Sequence, residues 1–233
     1  DREMELLRIL AAQRVRGALL TPSSTNRSLD RESIQARRLP LVFLDYQNSP
    51  EDCSVSVDDV AGARLAVQHL LDLGHQRVAF VGGGHGLRQH VERAAGARQA
   101  IIDAGIDPTG GFVEINQEGI GIQDGVFAAE RLLDEGNIPT GVFCGNDMMA
   151  FGVYRRLSAA GVRIPEDVSL VGYDDIDFAA DWIVPLTSVR QPTDDLGYMA
   201  AQLLLDHSAG DPAHVHRQIV LQPELIVRSS SAR

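Results

Sequence analysis

The sequence predicts an α/β fold of parallel sheets covered by helices on both faces, and three observations carry that prediction. Helical and strand segments alternate along the chain with short turns between them, the order that parallel strands with crossover helices require. The segment Val168 to Tyr173 is a buried strand, because Val168, Leu170 and Val171 are too apolar for a solvated face. That strand runs into two adjacent carboxylates, Asp174 and Asp175, and polar groups at strand carboxyl ends face the ligand crevice of open α/β sheets.

The elements follow in order. Arg2 to Arg14 carries apolar residues at Met4, Leu7, Ile9, Leu10 and Ala11, consistent with a helix laid on the strand Gly17 to Leu20. Leu41 to Leu44 is a second strand, ending in Asp45. Asp58 and Asp59 supply an N-cap for Val60 to Leu73, whose Ala63, Ala66, Val67, Leu70 and Leu71 form one apolar face, and Gly74 stops the helix. A strand at Arg77 to Val81, a glycine loop, a helix near Arg93 to Ala104 and a strand at Gly111 to Ile115 come next. Gly125 to Glu135 reads as a helix ended by Gly136, Gly141 to Cys144 as a short buried strand, and Met148 to Ala160 as a helix closed by Gly161. Past Gln191 the pattern becomes one long helix, Asp194 to Leu205, then extended segments at Gln218 to Leu221 and Glu224 to Val227.

Composition excludes several classes. No apolar segment in the 233 residues approaches a membrane span, which needs about 20 apolar residues. Two cysteines, Cys53 and Cys144, are too few for a disulfide framework and fit a reducing cytoplasm. The net charge is −11 and all 21 cationic side chains are arginine, with no basic run. Such a surface repels phosphate backbones, so this segment is not expected to bind DNA alone.

Gly82, Gly83, Gly84 and Gly86 follow a strand and precede a helix, but in a dinucleotide fingerprint the third glycine would fall at Leu87, and no lysine is present for a P-loop. His85 and His90 with Glu92, or His214 with His216, could suggest a metal; no HExxH or Cys/His spacing supports one, and solvated histidines are the expectation. No cofactor is expected. No nucleophile signature of the GxSxG kind occurs, so no catalytic residue and no enzyme activity are assigned.

Several polar residues have two readings. Arg93, in the string ERAAG, could fork onto vicinal hydroxyls or a carboxylate, or pair with Glu92 or Glu130 at the surface. Asn146 and Asp147 stand at a strand-to-helix junction, where either could cap the helix. Asp45 and Gln191 fit a turn and a hinge hydrogen bond as well as ligand contacts. Phe178 to Val184 holds the only tryptophan in an apolar cluster that serves core packing or an interface.

The strings IPEDVSLVGYDDI, from Ile164 to Ile176, and PLTSVRQP, from Pro185 to Pro192, resemble the effector-binding domain of LacI/GalR bacterial transcription regulators. That resemblance implies two doubly wound parallel-sheet subdomains of the type I periplasmic-binding-protein-like fold, joined by three crossings with the ligand between them. Residues 1–58 with 191–220 would form an N-terminal subdomain, incomplete here, and 59–190 with 221–233 a C-terminal one. The DNA-binding headpiece would lie upstream, so operator DNA is contacted only through it. The resemblance assigns Asp45, Arg93, Asn146, Asp174 and Gln191 to a small polyhydroxylated effector, with Asp147 and Asp175 structural and Tyr46, Gln89 and Ile120 as possible pocket neighbours. A position often aromatic in relatives is Ile120 here, and weaker stacking argues against a purine and favours a sugar. It implies a twofold homodimer through Ala150, Tyr154, Phe178, Trp182 and Ile183. A periplasmic sugar-binding protein of a transport system shares the fold and is the alternative; an α/β enzyme using a nucleotide is a third possibility.

Overall fold

The computed structural model describes residues 2–22, 39–46, 50–84, 86–134, 136, 138–209 and 214–231. The expectation placed on His85 falls outside them, as do Met4's side chain and Glu135. The chain divides into two compact units: unit 1 comprises 1–57, 86–88 and 192–221, and unit 2 comprises 58–85, 89–191 and 222–233.

Unit 1 contains helix α1 (Arg2–Ala12) and strands β1 (Ala18–Leu20), β2 (Leu41–Leu44) and β3 (Cys53–Val57). After the chain's passage through unit 2, helix α8 (Thr193–Ser208) and strand β9 (Gln218–Leu221) complete it. The four strands lie in the order β1-β2-β3-β9, all parallel, with Ala18 beside Leu41, Val42 beside Cys53 and Ser54 beside Gln218. Side chains of a strand alternate between faces, and the two faces have different partners. Leu41, Phe43 and Tyr46 pack with Leu7 of α1, whereas Val42, Cys53 and Val55 pack with Ala200 and Leu203 of α8. The α1 helix ends two residues before the expected Arg14, which takes a left-handed φ of 54° and turns the chain toward β1.

Unit 2 is larger. It contains α2 (Asp59–Asp72), β4 (Val78–Gly82), α3 (Arg88–Asp103), α4 (Pro108–Gly111), β5 (Phe112–Asn116), α5 (Ile122–Asp134) and β6 (Gly141–Cys144). Then come α6 (Asp147–Ala159), β7 (Ser169–Asp174), α7 (Asp177–Ala180), β8 (Thr187–Arg190) and β10 (Glu224–Ile226). Its six strands run β10-β8-β7-β6-β4-β5, parallel except for β10 against β8. Alternation again sorts the core. Val78 and Phe80 of β4 with Phe143, Val171 and Tyr173 meet Ala63, Ala66 and Leu70 of α2 and Ala97 and Ile101 of α3. Ala79, Val81, Val142, Cys144 and Leu170 meet Ala128 and Leu132 of α5 and Met149, Val153 and Leu157 of α6. Each buried leucine or phenylalanine contributes about 1.5–3 kcal/mol.

Helices α5 and α6 approach closely because two glycines face each other's backbone. A Cβ on Gly125 would overlap the Met149 carbonyl, and one on Gly152 the Ile122 carbonyl. Helix α3 begins at Arg88, earlier than expected, because its first turn is polar and shows no apolar period. Helix α5 likewise begins at Ile122: the Asp124 carboxylate accepts from the Gly119 and Gly121 amides and fixes the turn ahead of it. No helix among the described residues is long and apolar enough to cross a membrane.

Candidate functional site

The strand order of unit 2 reverses between β4 and β6. Helix α3, after β4, covers one face and α6, after β6, the other, so their loops part at the carboxyl ends of these strands. Ligand crevices of open α/β sheets form at such a point.

Arg93 reaches this end from the second turn of α3 and is only 4% exposed. Its Nε donates to Asp59 Oδ1 at 2.7 Å, one Nη donates to the Gly145 carbonyl at 2.5 Å, and the same nitrogen stands 3.7 Å from Asp174 Oδ1. The guanidinium lies 3.6 Å over the Tyr173 ring, a cation–π contact strengthened by exclusion of water. Burial alone would lower the Arg93 pKa, but the Asp59 carboxylate, through its charge and its hydrogen bond, and the Asp174 carboxylate outweigh it and raise it. The surface pairing with Glu92 or Glu130 is therefore replaced by a buried partner, Asp59; Glu130 pairs with Arg156. Of the two aspartates expected to cap α2, only Asp58 does so, by accepting from the Ala61 amide, and Asp59 pairs with Arg93 instead.

Asp174 ends β7 with φ 108° and Asp175 follows at φ 52°. Non-glycine residues hold such angles at a cost of about 1–3 kcal/mol each, and they concentrate at functional sites. Asp174 Oδ1 accepts from Gln191 Nε2 at 2.7 Å. Burial raises the Asp174 pKa while Arg93 and the Gln191 hydrogen bond act against it, and the side chain still keeps 32% of its surface accessible. Asp175, by contrast, is 3% accessible and bridges Arg190 at 2.7 Å and Arg228 at 2.5 Å. One carboxylate of the pair faces outward and the other is locked.

Asn146 is the N-cap of α6: its Oδ1 accepts from the Met149 amide at 2.8 Å and its Nδ2 donates to the Ile120 carbonyl at 3.0 Å. Asp147 is fully buried and accepts from the Ile176 amide at 2.9 Å and from the Ser188 hydroxyl at 2.6 Å. Burial pushes its pKa up to about 7, against the two hydrogen bonds. Gly172 makes room for it, since a Cβ there would overlap Asp147 Oδ1. His90 Nδ1 accepts from the Gly83 amide at 3.0 Å, and burial followed by the Arg93 charge lowers its pKa to about 4.

Ile120 is 40% exposed and its side chain covers Gly83. Gln89 is half-buried on the first turn of α3. In unit 1, Asp45 follows the carboxyl end of β2 with φ 51°, and Tyr46 is buried against Phe43 with ring centroids 5.7 Å apart. A cleft of about 180 Å³ between α3 and β5 is lined by Gly83, His90, Arg98, Glu114 and Asn116 among others. Its charges already pair with each other, Arg98 with Glu114 at 2.7 Å, so the strand-end cluster is the better candidate.

Trp182 stacks on Phe151 at 4.3 Å and meets Phe178 and Tyr154 edge-on at 5.2 and 6.0 Å. Phe178 is 56% and Ile183 80% exposed. Ala150 corrects one expectation: it is fully buried in the core of unit 2 and offers no surface to a partner.

The periplasmic binding protein-like domain matches residues 67–231. The HTH-type transcriptional repressor PurR of Vibrio atlanticus (strain LGP32) is 32% identical over 232 residues, 99% of this chain and 68% of that protein. The transcriptional regulator CelR in complex with cellobiose is 33% identical with a TM-score of 0.88, covering 98% of this chain and 69% of that one. A LacI family transcriptional regulator from Enterococcus faecalis V583 with bound ribose is 31% identical with a TM-score of 0.87, covering all of this chain and 83% of that one. With a parallel-sheet fold, a strand-end polar cluster and these matches over nearly its whole length, the chain belongs to the LacI/GalR family of transcriptional regulators, as their periplasmic-binding-protein-like ligand-binding domain.

Proposed function

We propose that this domain senses a sugar or sugar derivative and that the bound effector alters DNA binding by the regulator. The observation that carries the reading is the Gln191–Asp174–Arg93 chain at the carboxyl end of β7. A sugar hydroxyl needs an acceptor and a donor within reach of one another; Asp174 offers the acceptor and Gln191 the amide, both half-buried. Arg93 and Tyr173 lie behind Asp174 and hold it in place, and Asn146 fixes the neighbouring Ile120 backbone. In unit 1, Asp45 at the end of β2 is the candidate contact. Two of the similar structures carry cellobiose and ribose, which supports a sugar. Ile120 in place of an aromatic ring supports it from the chemistry of stacking. The similarity to named repressors favours regulation over transport, and action on DNA implies the cytoplasm. The exposed Phe178 and Ile183 beside Trp182 form the dimer surface. Coupling between effector and DNA is expected at about 1–3 kcal/mol.

Calorimetric titration of the full-length regulator with a panel of pentoses, hexoses, disaccharides and purine bases tests the proposal. A saturable signal from a sugar is expected. Binding of a purine base with no response to any sugar would overturn the effector class.

A further inference from the structure

Unit 1 gathers four metal-ligating side chains that the sequence scatters. Cys53, His207, His214 and His216 each offer one donor atom, and these atoms all lie within 4.8 Å of one another. Cys53 opens β3, His207 lies in the last turn of α8, and His214 and His216 belong to the segment leading into β9. The register of β3 with β9, Ser54 beside Gln218, brings the amino ends of both strands together. Cys53 Sγ lies 3.3 Å from His214 Nε2 and 3.4 Å from His216 Nδ1. Bonds of about 2.0–2.3 Å in a tetrahedron hold donor atoms about 3.3–3.8 Å apart, and both sulfur contacts have that separation.

His207 supplies an independent sign. Its ring hydrogen-bonds the Leu41 main chain, while its Nδ1 is buried with no partner. The nitrogen left for a metal is therefore Nδ1. A metal-bound imidazole commonly donates its other N–H to a backbone carbonyl, which fixes the tautomer and the ring. His214 stacks on His207 at 4.7 Å, and His216 stands edge-on to both, so the three rings form one cluster whose donor nitrogens gather beside the sulfur. Sequence spacing shows only the His214 and His216 pair, because Cys53 lies 161 residues before His214.

We propose that unit 1 binds a late first-row divalent ion, zinc foremost, through Cys53, His207, His214 and His216. One sulfur and three imidazoles suit zinc and exclude magnesium and calcium, which prefer oxygen. On binding, the Cys53 thiol releases its proton to solvent and the thiolate and three neutral imidazoles supply four lone pairs. The site is at the amino end of β3, opposite the end of the sheet where Asp45 leaves β2. The ion would tie the end of α8 to the start of β3 and β9 and so brace unit 1, independently of the effector residues.

The test uses tag-free full-length protein. After incubation with zinc chloride and gel filtration, elemental analysis should find one zinc per chain. Cobalt(II) in place of zinc should give a thiolate-to-cobalt charge-transfer band and the intense visible bands of a tetrahedral centre. His216→Ala, an exposed position, keeps the fold and should weaken zinc binding by more than about 100-fold, since loss of an outer-shell partner alone costs about 10–100-fold. Cys53→Ser should abolish the charge-transfer band. Zinc should raise the melting temperature of the parent but not of either variant. Substoichiometric zinc, octahedral cobalt spectra, or affinity unchanged in His216→Ala would each overturn the proposal.

Discussion

Replacing Asp147 by asparagine should change how stability depends on pH. Asp147 is completely buried, and desolvation raises its pKa from 3.8 to about 7 despite hydrogen bonds from Ser188 and Ile176. Because the folded pKa lies above the unfolded one, the folded state holds an extra proton between them. Stability contributed by this group therefore falls as pH rises from about 4 and is lowest above about 7, at about 1.4 kcal/mol per unit. The whole interval amounts to about 4 kcal/mol. Asparagine keeps the shape, accepts from the Ile176 amide and donates to Ser188 Oγ, and carries no charge at any pH. Its second N–H is left without a described partner, which adds a constant cost of about 1–3 kcal/mol. Urea unfolding followed through Trp182, the single tryptophan and a reporter within unit 2, isolates the effect. Between about pH 4.5 and about pH 7.5 the difference between variant and parent should move by about 3 kcal/mol in the variant's favour. A difference that stays constant across that range would mean that Asp147 ionises as an ordinary carboxylate.

Gly152→Ala should destabilise unit 2 by more than about 3 kcal/mol, because the new Cβ meets backbone rather than a movable side chain; a melting temperature within error of the parent would refute the close α5–α6 approach. Asp175→Ala leaves Arg190 and Arg228 without their shared carboxylate. The loss of a buried pair typically costs about 3–5 kcal/mol, with the half-exposed Arg190 placing this case at the lower end, and denaturant midpoints measure it. Ile183→Asp places a charge on an 80% exposed apolar side chain and should convert a dimer to a monomer in analytical ultracentrifugation; an unchanged sedimentation coefficient from a dimeric parent would exclude this surface as the interface.

Most strands were legible in the sequence because they are apolar runs and the helices between them end at glycines. Val168 to Tyr173 and the α2 face show this well. Strands β3 (CSVSV) and β8 (TSVR) were not, because buried serines and a threonine interrupt the apolar run. Helix starts were less legible where the first turn is polar, as in α3, since periodicity needs apolar residues to report it. Short helices such as α4 and α7 span one turn each and give no period at all.

The candidate site was legible as single residues and not as a network. Asp174 announced itself by its place at a strand end, and Arg93 by the resemblance. Asp59 and Tyr173 did not, because their roles depend on α2, α3 and β7 meeting through packing, and Asp59 reads equally well as a helix-start residue. Asn146 and Asp147 show the limit of local reasoning: either could cap α6, and only the register that puts Ser188 and Gly172 beside Asp147 separates cap from brace. The cysteine and histidines of unit 1 were invisible together for a similar reason, the pairing of β3 with β9.

On the proposed function, Asp174, held by Arg93 and Gln191, recognises the effector. Calorimetry with the sugar that binds best, on the parent and on Asp174→Ala, measures that contact. A hydrogen bond to a charged group is worth about 1.5–3 kcal/mol, so the affinity should fall by about 10- to 150-fold. An affinity within about twofold of the parent, less than about 0.5 kcal/mol, would contradict the claim.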